Sequence, residues 1–561
     1  MRIKLLLVCF LFFGVLVGVR LFHWQISSAN QLQAAAEGQH WISFEIPAKR
    51  GRVLASDGFP LVTNEESFLL FASLPDLKDS PERIAAKISL SLVANMETEN
   101  LIKQRLNRRD LSWVPLQHKI SRETKKILES LEIEGIGFEE EQKRSYPEGS
   151  SAAHLLGFVG SDINGRDKGY FGLEGYYDLE LRGRSGMMRR EQDASGKPIL
   201  VAEVKGEEKK DGRTLVTTID RTVQFIIEEK LKKGVLKYGA KAGSVILMEP
   251  KSGAILGMTS WPGYHPADFF QFDKTLFPNP VVTFSYEPGS AFKVLVMAAA
   301  LDANAVQPDT RCQKCSGPRR IADYTIKTYN EEYHPNSTMV EVIEHSDNVG
   351  MVFVAESLGL EKTFAYLKKF GLGEPTGIDL EGEAVPELRP ENQWRPIDLA
   401  TASFGQGIAI TPIQMVRAVG AIANQGLLPK PFVVKKVLGE GEEIEIQTQS
   451  TQAVIKPATA RVMTEMMVNA VEKGWFEGFK PKGFRIAGKT GTAQIPIAGH
   501  YDEEKTIASF VGFVPADEPR FVMLVTLTEP TSSPWGANTA APLWFEITKE
   551  LLLHYGIMPD L

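Results

Sequence analysis

Tyr286-Glu287-Pro288-Gly289-Ser290-Ala291-Phe292-Lys293 runs straight into Val294-Leu295-Val296-Met297-Ala298-Ala299-Ala300-Leu301. Pro288-Gly289 closes a loop, and a run with no polar residue predicts a helix buried on every side. Ser290 therefore stands at a helix start. Three residues is nearly one turn, which sets the Lys293 amine on the face of the Ser290 hydroxyl. Both lie near free backbone N–H groups and the positive end of the helix dipole. This is a nucleophile with a base. A serine hydroxyl attacks poorly at neutral pH, and a lysine takes its proton only when burial or a second cation depresses the lysine pKa. S-x-x-K alone is common by chance.

Two more motifs follow in order. Ser346-Asp347-Asn348 interrupts a helical pattern, between 339–344 and 349–358, so its side chains project from a short inter-helix loop. Ala487-Gly488-Lys489-Thr490-Gly491-Thr492-Ala493 surrounds a lysine with small residues. That suits an exposed strand beside a cleft, where a substrate backbone approaches closely. S-x-x-K, S-D-N and K-T-G in this order resemble the signature of the penicillin-binding proteins and serine β-lactamases.

The resemblance implies acyl transfer through serine. Lys293 takes the Ser290 proton, Ser290 attacks the carbonyl between two D-alanines of a stem peptide, and terminal D-alanine leaves an acyl-enzyme. Ser346 relays a proton to the departing amine, and Asn348 orients Lys293 and the peptide. Lys489 keeps Lys293 neutral and attracts the substrate carboxylate. Thr490, Gly491 and Thr492 hold the substrate, with the backbone N–H groups of Ser290 and Thr492 as oxyanion hole. An amine from a second strand then converts the ester into a cross-link. A β-lactam enters by the same attack and stays. No metal or cofactor is required. Asp347 is expected to cap a loop, and His345 lacks the ordered partner of a Ser-His-Asp triad.

At 561 residues with globular composition, the chain should hold two or three domains, and a net charge of −7 offers nothing to nucleic acid. Cys9 lies in the apolar N-terminus, leaving Cys312 and Cys315 as a pair in the body. No second Cys/His pair at metal spacing accompanies them. They read as a local disulfide or two idle thiols rather than a redox or zinc site. Gly405-Gln406-Gly407 is no phosphate loop, because no Lys-Ser/Thr follows; by resemblance it lies behind the site.

Arg2 and Lys4 precede an apolar run over 5–19, followed by Arg20 and Trp24. Fifteen helical residues cover about 22 Å, short of a ~30 Å hydrocarbon core, but Arg20 can snorkel and Trp24 suits the far interface. An uncleaved anchor is preferred to a signal peptide cut near Ser27-Ser28-Ala29, since Arg20 and Trp24 separate that site from the apolar run. The expected organisation is a cytoplasmic tail (1–4), a transmembrane anchor (5–26), a non-catalytic pedestal (27–212) and a transpeptidase domain (213–561). Positive residues on the short side put the body outside the cytoplasmic membrane.

Within the pedestal, 47–58 and 60–62 read as a hairpin turning at Asp57-Gly58, and 83–92 and 122–131 as helices. The runs Arg50-Gly51, Arg144-x-Tyr146-Pro147 and Gly172-Leu173-Glu174 resemble the pedestal, or dimerisation-type, motifs of class B penicillin-binding proteins. Arg50, Gly51, Arg144 and Glu174 are then structural, in ion pairs that hold the pedestal to the catalytic domain. From 213 onward come a strand over 214–219, a helix capped by Asp220 and a hairpin over 244–258. Strands over 506–513 and 521–527 and a helix over 543–555 follow. The fold class is α+β: one antiparallel sheet assembled from both ends, with a helical subdomain inserted. It resembles the penicillin-recognising serine transferase fold.

The implied function is a class B peptidoglycan D,D-transpeptidase that cross-links stem peptides, binds β-lactams and is anchored in the membrane. Its expected partners are a glycan polymerase and other division proteins, because no glycosyltransferase domain is visible. Glu287 before Pro288 and the Trp261-Pro262-Gly263-Tyr264-His265-Pro266 loop resemble the septal type; elongation and sporulation types are the alternatives. A carboxypeptidase or β-lactamase-like hydrolase fits the pedestal and anchor poorly. A division scaffold, pairing through Gly14 and Gly18 of the anchor, is the non-enzymatic alternative.

Overall fold

The computed structural model describes residues 2–33, 41–92, 95–108, 110–163, 165–191, 205–446, 452–474, 476, 478–497 and 500–559. They fall into two compact units, Met1–Gly51 with Arg182–Gly212, and Arg52–Leu181 with Arg213–Leu561.

In the first unit, α1 (Arg2–Phe22) continues through a π-helical turn to Ser27. The helix is longer than its apolar run. Its 26 residues reach about 39 Å at 1.5 Å per residue, long and apolar enough to cross a membrane once. The Arg20 guanidinium lies 5.5 Å from the Trp24 ring centroid, pairing a cation with an indole at the end of the span. Trp41–Ile46, Gly186–Glu191 and Lys205–Glu207 form a three-stranded antiparallel sheet. Arg50 and Gly51 are both buried.

The second unit opens on the expected hairpin, β1 (Val53–Leu54) and β2 (Pro60–Ser73), with Gly58 at φ 87° in its turn. β2 pairs with both β3 (Trp113–Ile120) and β4 (Ile136–Ser145). β5 (Thr214–Thr217) lies parallel to β1 and antiparallel to Val434–Gly439. It therefore belongs to the pedestal sheet and not to the catalytic one. Its alternating burial, Leu215 and Thr217 inside and their neighbours half-buried, fits a sheet with one covered face.

Arg144 Nε donates to Glu174 Oε1 at 2.7 Å with both side chains buried, and its Nη1 donates to Asn64 at 2.8 Å. This pair lies within the pedestal rather than across to the catalytic region, which corrects the expected bridging role. A charge out of water needs its partner at contact distance, and here the same segment supplies it. The ties across are made by other groups. Phe171 N–H donates to Glu381 at 2.5 Å, and Tyr177 OH donates to the buried Asp379 at 2.9 Å.

Asp220 caps α2 (Arg221–Tyr238), accepting from the N–H groups of Thr222 and Val223 at 2.9 and 3.1 Å. β6 (Ala242–Met248) and β7 (Ile255–Trp261) form a hairpin. With β8 (Ala487–Ile497), β9 (His500–Val514) and β10 (Phe521–Thr528) they make one antiparallel sheet, order β7-β6-β10-β9-β8. The strands do come from both ends of the region. Val245-Ile246-Leu247-Met248 is continuously apolar because both faces are covered. Val245 and Leu247 pack with α2 and the helix Ala540–His554, Ile246 and Met248 with the inserted helices. Among the latter, α3 (Lys293–Asp302) is buried at every residue, as its sequence requires.

Candidate active site

Gly289 to Phe292 forms a 3-10 turn that passes directly into α3. Gly289 has φ 54°, and a Cβ there would lie 2.5 Å from Thr492 O. A Cβ on Gly491 would meet Ser509 Oγ at 2.3 Å and Pro288 O at 2.8 Å. Glycine at both places lets the Ser290 turn and β8 touch backbone to backbone, which sets Ser290 beside Thr490-Gly491-Thr492. Behind the turn, Gly405 O accepts from Gly289 N–H at 3.1 Å, and a Cβ on Gly405 would lie 2.2 Å from Gly289 O.

Lys293 is fully buried at the start of α3. Its Nζ lies 2.5 Å from Ser346 O, 2.7 Å from Asn348 Oδ1 and 3.2 Å from Ser346 Oγ. Ser346 and Asp347 lie between α4 (Met339–Glu344) and α5, which begins at Asn348 and runs to Leu358. Ser346 adopts φ 54°, a conformation costly for a residue with a Cβ, and in it both carbonyl and hydroxyl meet the amine. Asp347 caps α5, accepting from Val349 and Gly350 N–H at 2.8 and 3.1 Å. Asn348 Nδ2 donates to Lys327 O at 3.1 Å, which fixes the amide so that its oxygen faces Lys293.

Burial drives the Lys293 amine well below its ordinary pKa, the Lys489 charge adds to the effect, and Asp347 opposes it. The neutral amine is favoured. It can donate its two protons to Ser346 O and Asn348 Oδ1 and keep a lone pair, which is what a base needs. Lys489 is buried too, and burial pushes it down to about 8, so at neutral pH it keeps its charge. Its Nζ donates to Thr490 Oγ1 at 3.2 Å. Thr492 Oγ1 accepts from Gly536 N–H at 3.0 Å and retains its own proton to donate.

Cys312 and Cys315 form a disulfide, Cα–Cα 5.6 Å, with both residues buried. His345 stacks on His334, ring centroids 4.0 Å apart. Several neighbours of the site carried no signal in the sequence. A Cβ on Gly536 would lie 2.3 Å from Gly491 O, so its loop packs on β8. Tyr329 and Trp535 meet edge-on at 4.1 Å, the first two residues from Lys327, the second adjoining Gly536. Ser532-Ser533-Pro534-Trp535-Gly536 reads only as a turn. A cavity of about 260 Å³ contains Glu287 and Gly407; a larger one, about 690 Å³, is lined by Asp57, Glu148, Arg221 and Phe225 among others and holds no motif residue.

Residues 243–552 match the penicillin binding protein transpeptidase domain, and residues 45–217 the penicillin-binding protein dimerisation domain. The chain is 34% identical over 559 residues to stage V sporulation protein D of Bacillus subtilis, covering 98% of this chain and 85% of that protein. It is 30% identical over 560 residues to the probable peptidoglycan D,D-transpeptidase PenA of Neisseria meningitidis, covering 99% of this chain and 92% of the relative. Among solved structures it resembles a peptidoglycan synthetase from Bifidobacterium adolescentis. The TM-score is 0.74 at 25% identity, over 93% of this chain and 98% of the other.

Proposed function

The chain belongs to the class B penicillin-binding proteins and is a peptidoglycan D,D-transpeptidase, and from that premise we propose that Ser290 carries the acyl group and that the enzyme works at the division septum. The observation that carries the catalytic assignment is the buried Lys293 amine, held by Ser346 and Asn348 with its lone pair favoured. Lys293 takes the Ser290 proton as Oγ attacks the carbonyl of the penultimate D-alanine. Negative charge on that oxygen is met by the backbone N–H groups of Ser290 and Thr492. Ser346 passes a proton to the departing amine, and D-alanine leaves. Lys489 and the Thr490 and Thr492 hydroxyls hold the terminal carboxylate, Gly491 leaving room for it. A neutral amine of a second stem then attacks the ester, and Ser290 recovers its proton. A β-lactam acylates Ser290 by the same attack.

The functional boundary is placed at residue 212, although packing joins 52–181 to the residues after 213. Arg50, Gly51, Arg144 and Glu174 serve the pedestal as structural groups. α1 anchors the chain with its N-terminus in the cytoplasm, and Arg2 and Lys4 support that orientation. A glycan polymerase and division proteins are its working partners.

Full-length protein in detergent is labelled with a fluorescent penicillin, beside Ser290→Ala, and followed by intact mass. One stable adduct, absent in the variant, is expected; a folded wild type without adduct overturns the assignment, and rapid release of ring-opened drug indicates a hydrolase. The septal role is supported by the Glu287-Pro288 lead-in and the Trp261–Pro266 loop. A sporulation role has the 34% relative on its side. A fluorescent fusion that gathers at midcell in dividing cells supports the first, and one confined to developing spores the second.

A further inference from the structure

Ser346 stands where a glycine commonly ends a helix. Ser346 N–H donates to Ile343 O at 3.2 Å and Asp347 N–H to Val342 O at 3.0 Å, the paired closure of a Schellman cap on α4. The turn residue of that cap takes positive φ, and Ser346 takes it at 54° although it carries a Cβ. Such a conformation persists only where neighbours hold it. The neighbour here is a ring. His345, the C-cap of α4 and the residue before Ser346, lies flat on His334, with ring centroids 4.0 Å apart and planes 6° from parallel. His334 is anchored in turn, its carbonyl accepting from Ser337 N–H at 3.3 Å and Ser337 Oγ at 2.8 Å. Lys327 O, on the same loop, accepts from Asn348 at 3.1 Å. The loop over 327–337 thus grips the second motif twice, at Asn348 through a hydrogen bond and at His345 through a stack.

We propose that His334 and His345 are positioning residues for Ser346, whose stack holds the serine turn against Lys293 and lets go when both rings are charged. This rests on the transpeptidase reading, in which Ser346 relays a proton. Imidazole changes charge between about pH 5 and 8. Two charged rings 4.0 Å apart repel. His334 Nδ1 is also buried without a hydrogen-bond partner, so a charged His334, which carries a proton on both nitrogens, leaves one N–H unsatisfied in the stack. The charged groups around the pair do not hold it together. Glu332 is 3.9 Å from His334 Nε2, Glu341 is engaged by Thr338 at the start of α4 with Arg311 nearby, and Glu344 accepts from Asn469 of the helix Pro457–Glu472. Beyond Ser346 stand Lys293 and the charges that act on it, Lys489 and Asp347. When the rings part, His345 is free to turn, and the Ser346 hydroxyl and carbonyl leave the Lys293 amine. The proton relay slows, while the carboxylate hold at Lys489, Thr490 and Thr492 is untouched.

The test measures penicillin acylation of full-length protein in detergent from pH 5 to 8, separating the rate of the acylation step from the affinity of the drug before it. Wild type is compared with His334→Ala, which removes the ring, and His334→Phe, which keeps a flat ring that cannot be charged. At pH 7.5 His334→Ala should acylate about tenfold more slowly at unchanged affinity, and His334→Phe should recover to within about twofold of wild type. Between pH 7.5 and 5.5 the wild-type rate should fall about fivefold further than that of His334→Phe, because the Lys293 limb is common to both. A wild-type rate in His334→Ala, no recovery in His334→Phe, or parallel acid limbs overturns the proposal. If His334→Ala does not fold, the acid limbs of wild type and His334→Phe decide alone. Ser290→Ala in the same series separates the two levels. Label that depends on Ser290 but ignores His334 removes only the stack, whereas no label in folded wild type removes the transpeptidase assignment and the role of the stack with it.

Discussion

At the scale of the residue, the proposed chemistry turns on two buried lysines. In the proposed mechanism Lys293 is neutral to accept a proton, and Lys489 stays charged to attract a carboxylate and hold Lys293 neutral. Acylation should therefore fall at low pH, as Lys293 protonates at its depressed pKa, and fall again above about 8, as Lys489 loses its proton. A pH profile of penicillin acylation checks this, and Lys489→Arg should move the alkaline limb upward while lowering the rate, since a guanidinium fits an ammonium site poorly. A profile without an alkaline limb near 8 rejects the role given to Lys489. The identities of these residues are legible in three short motifs. The way Ser346 is held is not, because a serine at φ 54° has no sequence signal; it is imposed by the packing of α4 and α5.

At the scale of the element, the Ser290 turn, the Gly405 loop and β8 approach so closely that a methyl group fits at none of the contacts. Gly405 also has φ 79°, so Gly405→Ala suffers both the clash with Gly289 O and a strained backbone. The variant should lose at least about 3 kcal/mol of stability or displace Ser290, read as a fall of ~10²-fold or more in the penicillin acylation rate. An unimpaired Gly405→Ala would show that the three backbones can part without cost. Helices and strands here were legible where continuous apolar runs are bounded by turn residues, as in α3 and the β6–β7 hairpin. β5 was legible as a strand over 214–219, but its place in the pedestal sheet was not, since a short strand pairs by what lies near it in space, and Val434–Gly439 is remote in sequence.

Over the whole molecule, Asp379 ties the pedestal to the catalytic region. Its carboxylate accepts from Val433 and Val434 N–H at 2.6 and 2.8 Å and from Tyr177 OH at 2.9 Å. Asp379→Ala leaves these donors unsatisfied and should cost about 3 kcal/mol or more, seen as a lowered Tm. Penicillin labelling of the protein that remains folded should persist, because none of these groups touches Ser290 or Lys293. A Tm equal to wild type would mean that the junction is held by something else. The pedestal was visible in its turn-rich runs, but its joint with the catalytic region was not. The Arg144–Glu174 pair turned inward, and the crossing contacts, the Phe171–Glu381 and Tyr177–Asp379 hydrogen bonds and the Arg221–Glu148 ion pair among them, are marked by no motif.

The outermost place of β8 in its sheet has an evolutionary consequence. A ligand lying along that edge meets main-chain N–H and C=O groups, and no substitution deletes a peptide group. A population selected for escape from an inhibitor bound there has no side chain to discard on the contact itself. Its accessible routes run through what props the strand from behind, where Gly491, Ser509 and Gly536 leave no slack, so resistance and loss of the native reaction should be purchased together.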